Sequence, residues 1–188
     1  MINEIKIQEV HMRNLFVLAL FIIGCGGSQT NGDSAVKPSS AEEIDLNGDG
    51  TPDAWKHFIR KEGQLILVKK EIDLNVDGKI DVWRYYSNSG EPTKDEMDMD
   101  FDGKIDSTVF YQDGQVVRKE IDLAFDQTPD QIKYYKDGVI SRVEWDSNSD
   151  GKMDYWELYK KGKLNKKGVD TDGDGKADPD KWVDVDAE

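Results

Sequence analysis

A nine-residue frame recurs six times along this 188-residue chain. Its first copy reads Asp45-Leu46-Asn47-Gly48-Asp49-Gly50-Thr51-Pro52-Asp53. Acidic or amide side chains stand at the first, third, fifth and ninth places, and a glycine at the sixth. The frame restarts at Asp73, Asp98, Asp122, Asp146 and Asp170, in steps of 28, 25, 24, 24 and 24 residues. A fixed period of this length dictates the architecture: each copy is one supersecondary unit that stacks on its neighbours.

The spacing suits a hard cation. Calcium takes six to eight oxygen ligands at about 2.3–2.6 Å, so several carboxylates and carbonyls must converge. Alternate residues of a tight loop can turn inward together, and the glycine permits the sharp bend. Loop 1 offers Asp45, Asn47, Asp49 and Asp53, and loop 2 offers Asp73, Asn75, Asp77 and Asp81. Loop 3 offers Asp98, Asp100, Asp102 and Asp106, and loop 5 offers Asp146, Asn148, Asp150 and Asp154. Loop 6 offers Asp170, Asp172, Asp174 and Asp178. The seventh-place carbonyl of Thr51, Lys79, Lys104, Lys152 or Lys176 would add a ligand. Loop 4 is degenerate: it keeps Asp122, Asp126 and Asp130, but Ala124 replaces the third ligand and Gln127 the glycine. It is expected to bind weakly or not at all. The competing explanation is a plain Asp/Asn/Gly turn whose side chains cap their own backbone. A turn alone does not need a carboxylate at the ninth place in every copy.

The segments leaving the loops are strand-like: Ala-Trp-Lys-His-Phe after Asp53, Val-Trp-Arg-Tyr-Tyr after Asp81, Tyr-Trp-Glu-Leu-Tyr after Asp154. Aromatic and β-branched residues favour strands over helices. The frame resembles the Asp-x-Asp-x-Asp-Gly-x-x-Asp loops of integrin-type and related bacterial propeller repeats, and the first part of EF-hand and dockerin loops. The resemblance covers about nine residues per unit and implies calcium, not a fold or a role. An EF-hand adds a bidentate Glu at the twelfth place. Only loop 5 supplies one, Glu157, which completes the EF-hand pattern from Asp146.

The N-terminal stretch reads as a targeting segment. Leu15 to Ile23 is an apolar run of nine after Arg13, ending Gly24-Cys25, the chain's sole cysteine. Nine residues fall short of the roughly 20 a membrane helix needs, but they fit a signal-peptide core. The small residue before a lone cysteine resembles the lipobox of bacterial lipoproteins. That resemblance implies cleavage before Cys25, a lipid anchor on Cys25, and residence in the bacterial cell envelope at the outer membrane. The expected organisation is a signal peptide over 1–24, with translation starting at Met12. A lipidated cysteine and flexible tether follow over 25–43, then a six-loop calcium-binding β-repeat domain over 44–182 and an acidic tail over 183–188.

Between loops, each unit reads strand, glycine turn, strand, with turns at Gly63, Gly90, Gly114, Gly138 and Gly162. Asp-Gly between alternating runs is a strong hairpin signal. The expected fold is mainly β, an antiparallel meander of roughly ten to twelve strands built from ~24-residue β-hairpin repeats. It should form a curved or coiled repeat sheet, with all the aspartate loops along one edge and the glycine turns along the other. A closed propeller is disfavoured, because 24 residues supply two strands and a blade needs four. Two residues beyond each ninth-place Asp stand Trp55, Trp83, Thr108, Ile132 and Trp156, and two further His57, Tyr85, Phe110, Tyr134 and Leu158. These form one face of the sheet.

Charge narrows the function. The formal net charge is −14, and the loops hold twenty of the 39 acidic residues, four each in loops 3 and 6 and three in each of the others. Such acidity argues against nucleic acid as a partner. One mature histidine and no Gly-x-Ser-x-Gly or Walker-type loop leave the usual catalytic constellations missing, so no enzyme is expected. Two readings remain. One is a calcium-stabilised envelope lipoprotein serving as a structural or binding module for a protein or glycan. The other is a glycan-directed surface lipoprotein, binding or hydrolysing polysaccharide, whose aromatic columns stack on sugars, with calcium as structural support. Packing is the plainer explanation of those columns, since aromatics supply most of a thin domain's apolar area.

Overall fold

The computed structural model describes residues 39–185. The leader, Cys25, most of the tether and the last three residues of the acidic tail lie outside the described residues. Twelve strands follow in chain order: β1 (Ser40–Ile44), β2 (Ala54–Lys61), β3 (Gln64–Ile72), β4 (Val82–Tyr86), β5 (Pro92–Met97), β6 (Ser107–Gln112), β7 (Gln115–Ile121), β8 (Gln131–Lys136), β9 (Val139–Trp145), β10 (Tyr155–Lys160), β11 (Lys163–Val169) and β12 (Val183–Asp184). They make one sheet in sequential order, β1 to β12, with every pairing antiparallel. The expected meander is therefore the fold, and it is open: β1 and β12 are its two edges.

Both edges extend past the expected domain limits. Ser40 to Glu43, read as tether, pair with Phe58 to Trp55 as β1. Val183–Asp184, read as tail, pair with Lys167 and Lys166 as β12. Neither segment is apolar; each is a strand because an unpaired neighbour offers it a hydrogen-bond ladder.

The turns follow from the sequence. In four hairpins a two-residue turn (Glu62-Gly63, Asp113-Gly114, Asp137-Gly138, Lys161-Gly162) holds both φ angles positive, between 51° and 82°. That mirror-image turn matches the strand twist, which is why X-Gly pairs occupy it. The β4–β5 connection is longer, and Ser87 N–H bonds to Glu91 O at 2.7 Å. Each hairpin also slips by one residue in its returning strand, leaving Val68, Thr93, Val117, Ser141 and Asn165 as bulges. Beyond the bulge a returning strand no longer pairs with the next hairpin; β7 meets β8 only over Arg118–Ile121. The loop edge is thus continuous and the turn edge is divided into separate fingers.

A row across the sheet reads Glu43, Trp55, Glu71, Trp83, Glu96, Thr108, Glu120, Ile132, Glu144, Trp156, Gly168. The next row on that face reads His57, Lys69, Tyr85, Lys94, Phe110, Arg118, Tyr134, Arg142, Leu158, Lys166. Glutamates alternate with apolar residues in one row, and cations alternate with mostly aromatic residues in the other. Four of these cations therefore meet a glutamate two residues along their own strand: Lys69–Glu71, Lys94–Glu96 (2.6 Å), Arg118–Glu120 (2.9 Å) and Arg142–Glu144; the fifth, Lys166, pairs with Asp184 (3.2 Å). Arg142 Nε lies 3.0 Å from Glu144 at an angle too oblique for a hydrogen bond, so that contact is ionic. The same cations lie over rings: Lys94 is 4.5 Å from the Tyr85 centroid, Arg118 4.4 Å from Phe110, Arg142 4.0 Å from Tyr134. These cross-strand pairs are the unit of sheet stabilisation, each contributing some tenths of a kcal/mol up to about 1. His57 bonds to Glu71 at 2.5 Å and so belongs to this pattern.

At the C-terminal end the row changes. Gly168 replaces the glutamate, and a Cβ there would lie 2.9 Å from the Trp182 ring. Only glycine lets that indole close over the last full strand.

A single sheet leaves little to bury. Among the described residues, the buried apolar side chains are Ala54, Ile59, Val143 and Trp156. The largest fully buried side chains are the carboxylates of Asp81 and Asp98.

Candidate metal centre

A buried carboxylate is costly unless hydrogen-bonded, and the loops show how these are satisfied. In loop 3, Asp98 receives the N–H of Phe101 on Oδ1 and that of Gly103 on Oδ2, both at 2.7 Å. Asp106 Oδ2 receives the N–H of Met99 at 2.6 Å and of Asp100 at 3.4 Å. Asp100 takes the N–H of Asp102 at 3.1 Å, and Asp102 that of Lys104 at 2.8 Å. The loop is a nest of N–H groups folded around its first and ninth side chains.

The pattern repeats. The sixth-place N–H reaches the first-place carboxylate in all six loops, at 2.6–2.9 Å. The ninth-place carboxylates of Asp53, Asp81, Asp106, Asp130, Asp154 and Asp178 each receive the second-place N–H. Loops are also tied to one another: the N–H of Asp73, Asp98, Asp122, Asp146 and Asp170 each donates to the carbonyl of the preceding loop's ninth residue, at 2.7–2.9 Å. First- and ninth-place aspartates therefore build the loop edge, and most are buried.

The third and fifth places are different. Asn47, Asn75, Asp100, Asn148 and Asp172 each accept one N–H from the fifth residue. Asp49, Asp77, Asp102, Asp150 and Asp174 each accept one from the seventh. At the third place a neutral oxygen does this equally well, as the asparagines demonstrate. In two loops carboxylates nonetheless crowd together: one oxygen each from Asp98, Asp100 and Asp106, and from Asp170, Asp172 and Asp174, lie within 4.8 Å of one another. Asp102 and Asp178 stand apart from those triads, held by Lys104 Nζ at 2.6 Å and by the Thr171 hydroxyl. Lys104 holds the Asp102 carboxyl below the usual carboxylate range, and Asp102 in turn raises the ammonium. For Asp170, burial pushes the carboxyl up, but the N–H groups of Gly175, Gly173 and Asp172 outweigh it and leave it below that range. Thr51 lowers Asp49 in the same way.

The donor chemistry fits a hard divalent cation. It is all oxygen, mostly charged, and placed where Asp49, Asp77, Asp102, Asp150 and Asp174 each need only one oxygen for the backbone. Glu157 does not join its loop: Tyr159 donates to it at 2.8 Å and Tyr155 at 3.3 Å, both within β10. Loop 4 adopts the common turn without Gly103's counterpart; Gln127 holds φ at 76°.

The fourth place was not singled out by sequence reasoning. Gly48, Val76, Phe101, Phe125, Ser149 and Gly173 all hold positive φ. For a β-branched valine this is an uncommon conformation. The glycines of loops 1 and 6 at this place were the available signal. Leu74, Val76, Phe101, Leu123 and Phe125 are exposed, so these side chains stand outside the nest.

No protein-family model matches the chain, and no curated protein matches it. Among solved structures, an accessory secretory protein 1, 2 and 3 structure from Streptococcus pneumoniae aligns over 57% of this chain and 19% of that one, at 22% identity and TM-score 0.37. A glycosylation-associated protein complex from Streptococcus agalactiae aligns over 70% of this chain and 22% of that one, at 14% identity and TM-score 0.29. This chain thus spans about a fifth of the length of the structures it matches.

Proposed function

We propose that this protein is a calcium-stabilised repeat module of the bacterial cell envelope, held at a membrane by lipid on Cys25, with a binding or structural role and no catalysis. The observation that carries the calcium reading is the crowding of Asp98, Asp100 and Asp106 within 4.8 Å. Like charges at that separation repel, and the backbone needs no charge at the third place. A divalent cation would offset the repulsion at loops 3 and 6, and would meet the same frame of oxygens, with asparagine at the third place, at loops 1, 2 and 5; five such ions would take the formal charge from −14 to −4. In a sheet with so few buried apolar side chains, ions bound only in the folded state would add directly to stability.

The site would supply charge neutralisation and loop rigidity. The first-, third-, fifth- and ninth-place side chains would hold the ion, the ninth in loops 1, 2, 3 and 6 through the carboxylate oxygen not used by the backbone. The lipoprotein reading rests on Leu15–Cys25 of the sequence. Calcium titration by calorimetry tests the metal reading. Several sites of about 10⁻⁴–10⁻³ M, the range of extracellular modules, are expected. No heat at millimolar calcium would leave the loops as hydrogen-bonded turns.

The glycan reading has less support on the face of Trp55 and Tyr85. The rings of Tyr85, Phe110 and Tyr134 there are covered by Lys94, Arg118 and Arg142. A sugar would have to displace those cations.

A further inference from the structure

The two faces of the sheet treat their cations differently. On the tryptophan face, Lys69, Lys94, Arg118 and Arg142 all meet a glutamate. The opposite face carries the row Glu42, Lys56, Lys70, Arg84, Asp95, Val109, Lys119, Lys133, Val143, Glu157, Lys167. Lys56 pairs with Glu42, and Arg84 with Asp95. Among the described residues, Lys70, Lys119, Lys133 and Lys167 make no ion pair, and Lys119 stands directly opposite Lys133. Like charges directly opposite destabilise a sheet. A chain of net charge −14 thus concentrates uncompensated positive charge on one face.

Beside that pair is a groove of about 520 Å³ lined by Val109, Tyr111, Gln115, Val116, Lys119 and Tyr135. It exists because the bulge at Val117 separates the β6–β7 finger from the β8–β9 finger. Tyrosines recur on this face at the same place of successive fingers: Tyr86, Tyr111, Tyr135, Tyr159. Successive fingers are two strands apart, about 9.6 Å at the usual strand spacing.

We propose that this face binds a linear acidic polysaccharide, with sugar rings against Tyr111 and Tyr135 and its carboxylates at Lys119 and Lys133. Three features select that class. A ligand with its own repeat can meet an equivalent tyrosine in each successive finger. Aromatic walls suit the apolar faces of sugar rings. The charged side chain lining the groove, Lys119, carries an ammonium, as does its cross-strand neighbour Lys133, rather than the guanidinium fork typical of phosphate recognition, and the net charge repels a polymer as densely charged as nucleic acid. This face contains none of the loop carboxylates of the aspartate nests, and binding there does not require calcium.

The test is calorimetric titration of the whole protein, in calcium, with a hyaluronan oligosaccharide of ten sugars. Neutral dextran of equal length and single-stranded DNA are the comparison probes. Binding of hyaluronan alone is expected. It should weaken roughly tenfold or more when Lys119→Gln and Lys133→Gln are combined, and also with Tyr135→Ala. Lys94→Gln on the other face should leave it unchanged. Because Lys119 and Lys133 repel each other, the double variant should unfold at the same temperature as the parent or higher. A loss of affinity then reflects lost contacts. Absence of hyaluronan binding, indifference to the double variant, or equal binding of DNA would each overturn the assignment.

Discussion

Loops 3 and 4 are neighbours with one backbone and two different side-chain sets. Loop 3 has Asp98, Asp100, Asp102, Gly103 and Asp106; loop 4 has Asp122, Ala124, Asp126, Gln127 and Asp130 at the same places. In both, the first-place carboxylate takes the sixth-place N–H, at 2.7 Å and 2.6 Å. In both, the ninth takes the second- and third-place N–H groups. Even the left-handed sixth residue survives the change from glycine to Gln127, φ 93° against 76°. A side chain in that conformation costs on the order of 1–2 kcal/mol, yet the Gln127 N–H still reaches Asp122. The backbone therefore requires the first and ninth aspartates. The third-place carboxylate, kept in loop 3 and lost in loop 4, serves something other than the turn.

The largest expected effect tests what the two loops share. Asp106→Ala and Asp130→Ala should each lower the unfolding midpoint with or without calcium. Each leaves two N–H groups without their acceptor, about 2–4 kcal/mol, or roughly 5–15 °C. If Asp130→Ala proves mild, the common scaffold is wrong.

A smaller effect tests what differs. Asp100→Ala should lower the midpoint in calcium and change little in chelator. At calcium ten times Kd one site contributes about 1.4 kcal/mol, roughly 3–6 °C. Ala124→Asp, which restores the missing ligand in loop 4, should raise the midpoint in calcium by less than that. Equal responses in calcium and chelator would make the third place a turn residue too.

Smaller again is the effect of Lys104, which holds Asp102 in loop 3; loop 4 has Thr128 at that place. Lys104→Met should tighten calcium binding at loop 3 about two- to fivefold, the scale of an exposed ion pair. Unchanged affinity would mean the ammonium does not compete with the ion.

The smallest effect concerns loop 5 and Glu157. Burial, then the hydrogen bond to Glu157, pushes the Tyr159 phenol up to about 12. A value raised above the ordinary 10 stabilises the folded state below pH 10, and that contribution is lost as pH climbs from 10 to 12. A spectrophotometric titration should show Tyr159 unmoved by calcium. A fall toward 10 on adding calcium would show that Glu157 leaves the tyrosines for the loop.

The strands and turns were legible because they obey short-range rules. Alternation placed Trp55 and His57 on one face, and X-Gly pairs marked the mirror-image turns. The open end strands were less legible. Ser40–Glu43 carries no apolar stripe; it is a strand because β2 offers it a ladder, a property of the neighbour. The bulges at Val68 or Ser141 leave no residue-type signature, since Val, Thr, Ser and Asn all occupy them. The spacing of the aspartates showed which residues gather in a loop. It did not distinguish the two around which the backbone folds from the two that each take a single N–H, because the same residue type performs both tasks. Nor did composition reveal that Lys94 and Arg118 would cover the rings of Tyr85 and Phe110, which follows from the cross-strand register.

The most direct measurement is thermal unfolding of the protein, followed by tryptophan fluorescence, in millimolar calcium and again in chelator, with Asp100→Ala beside the parent. The account predicts a midpoint several degrees higher in calcium, a gap that narrows in the variant. Identical midpoints in calcium and chelator would contradict it and leave the six loops as hydrogen-bonded turns.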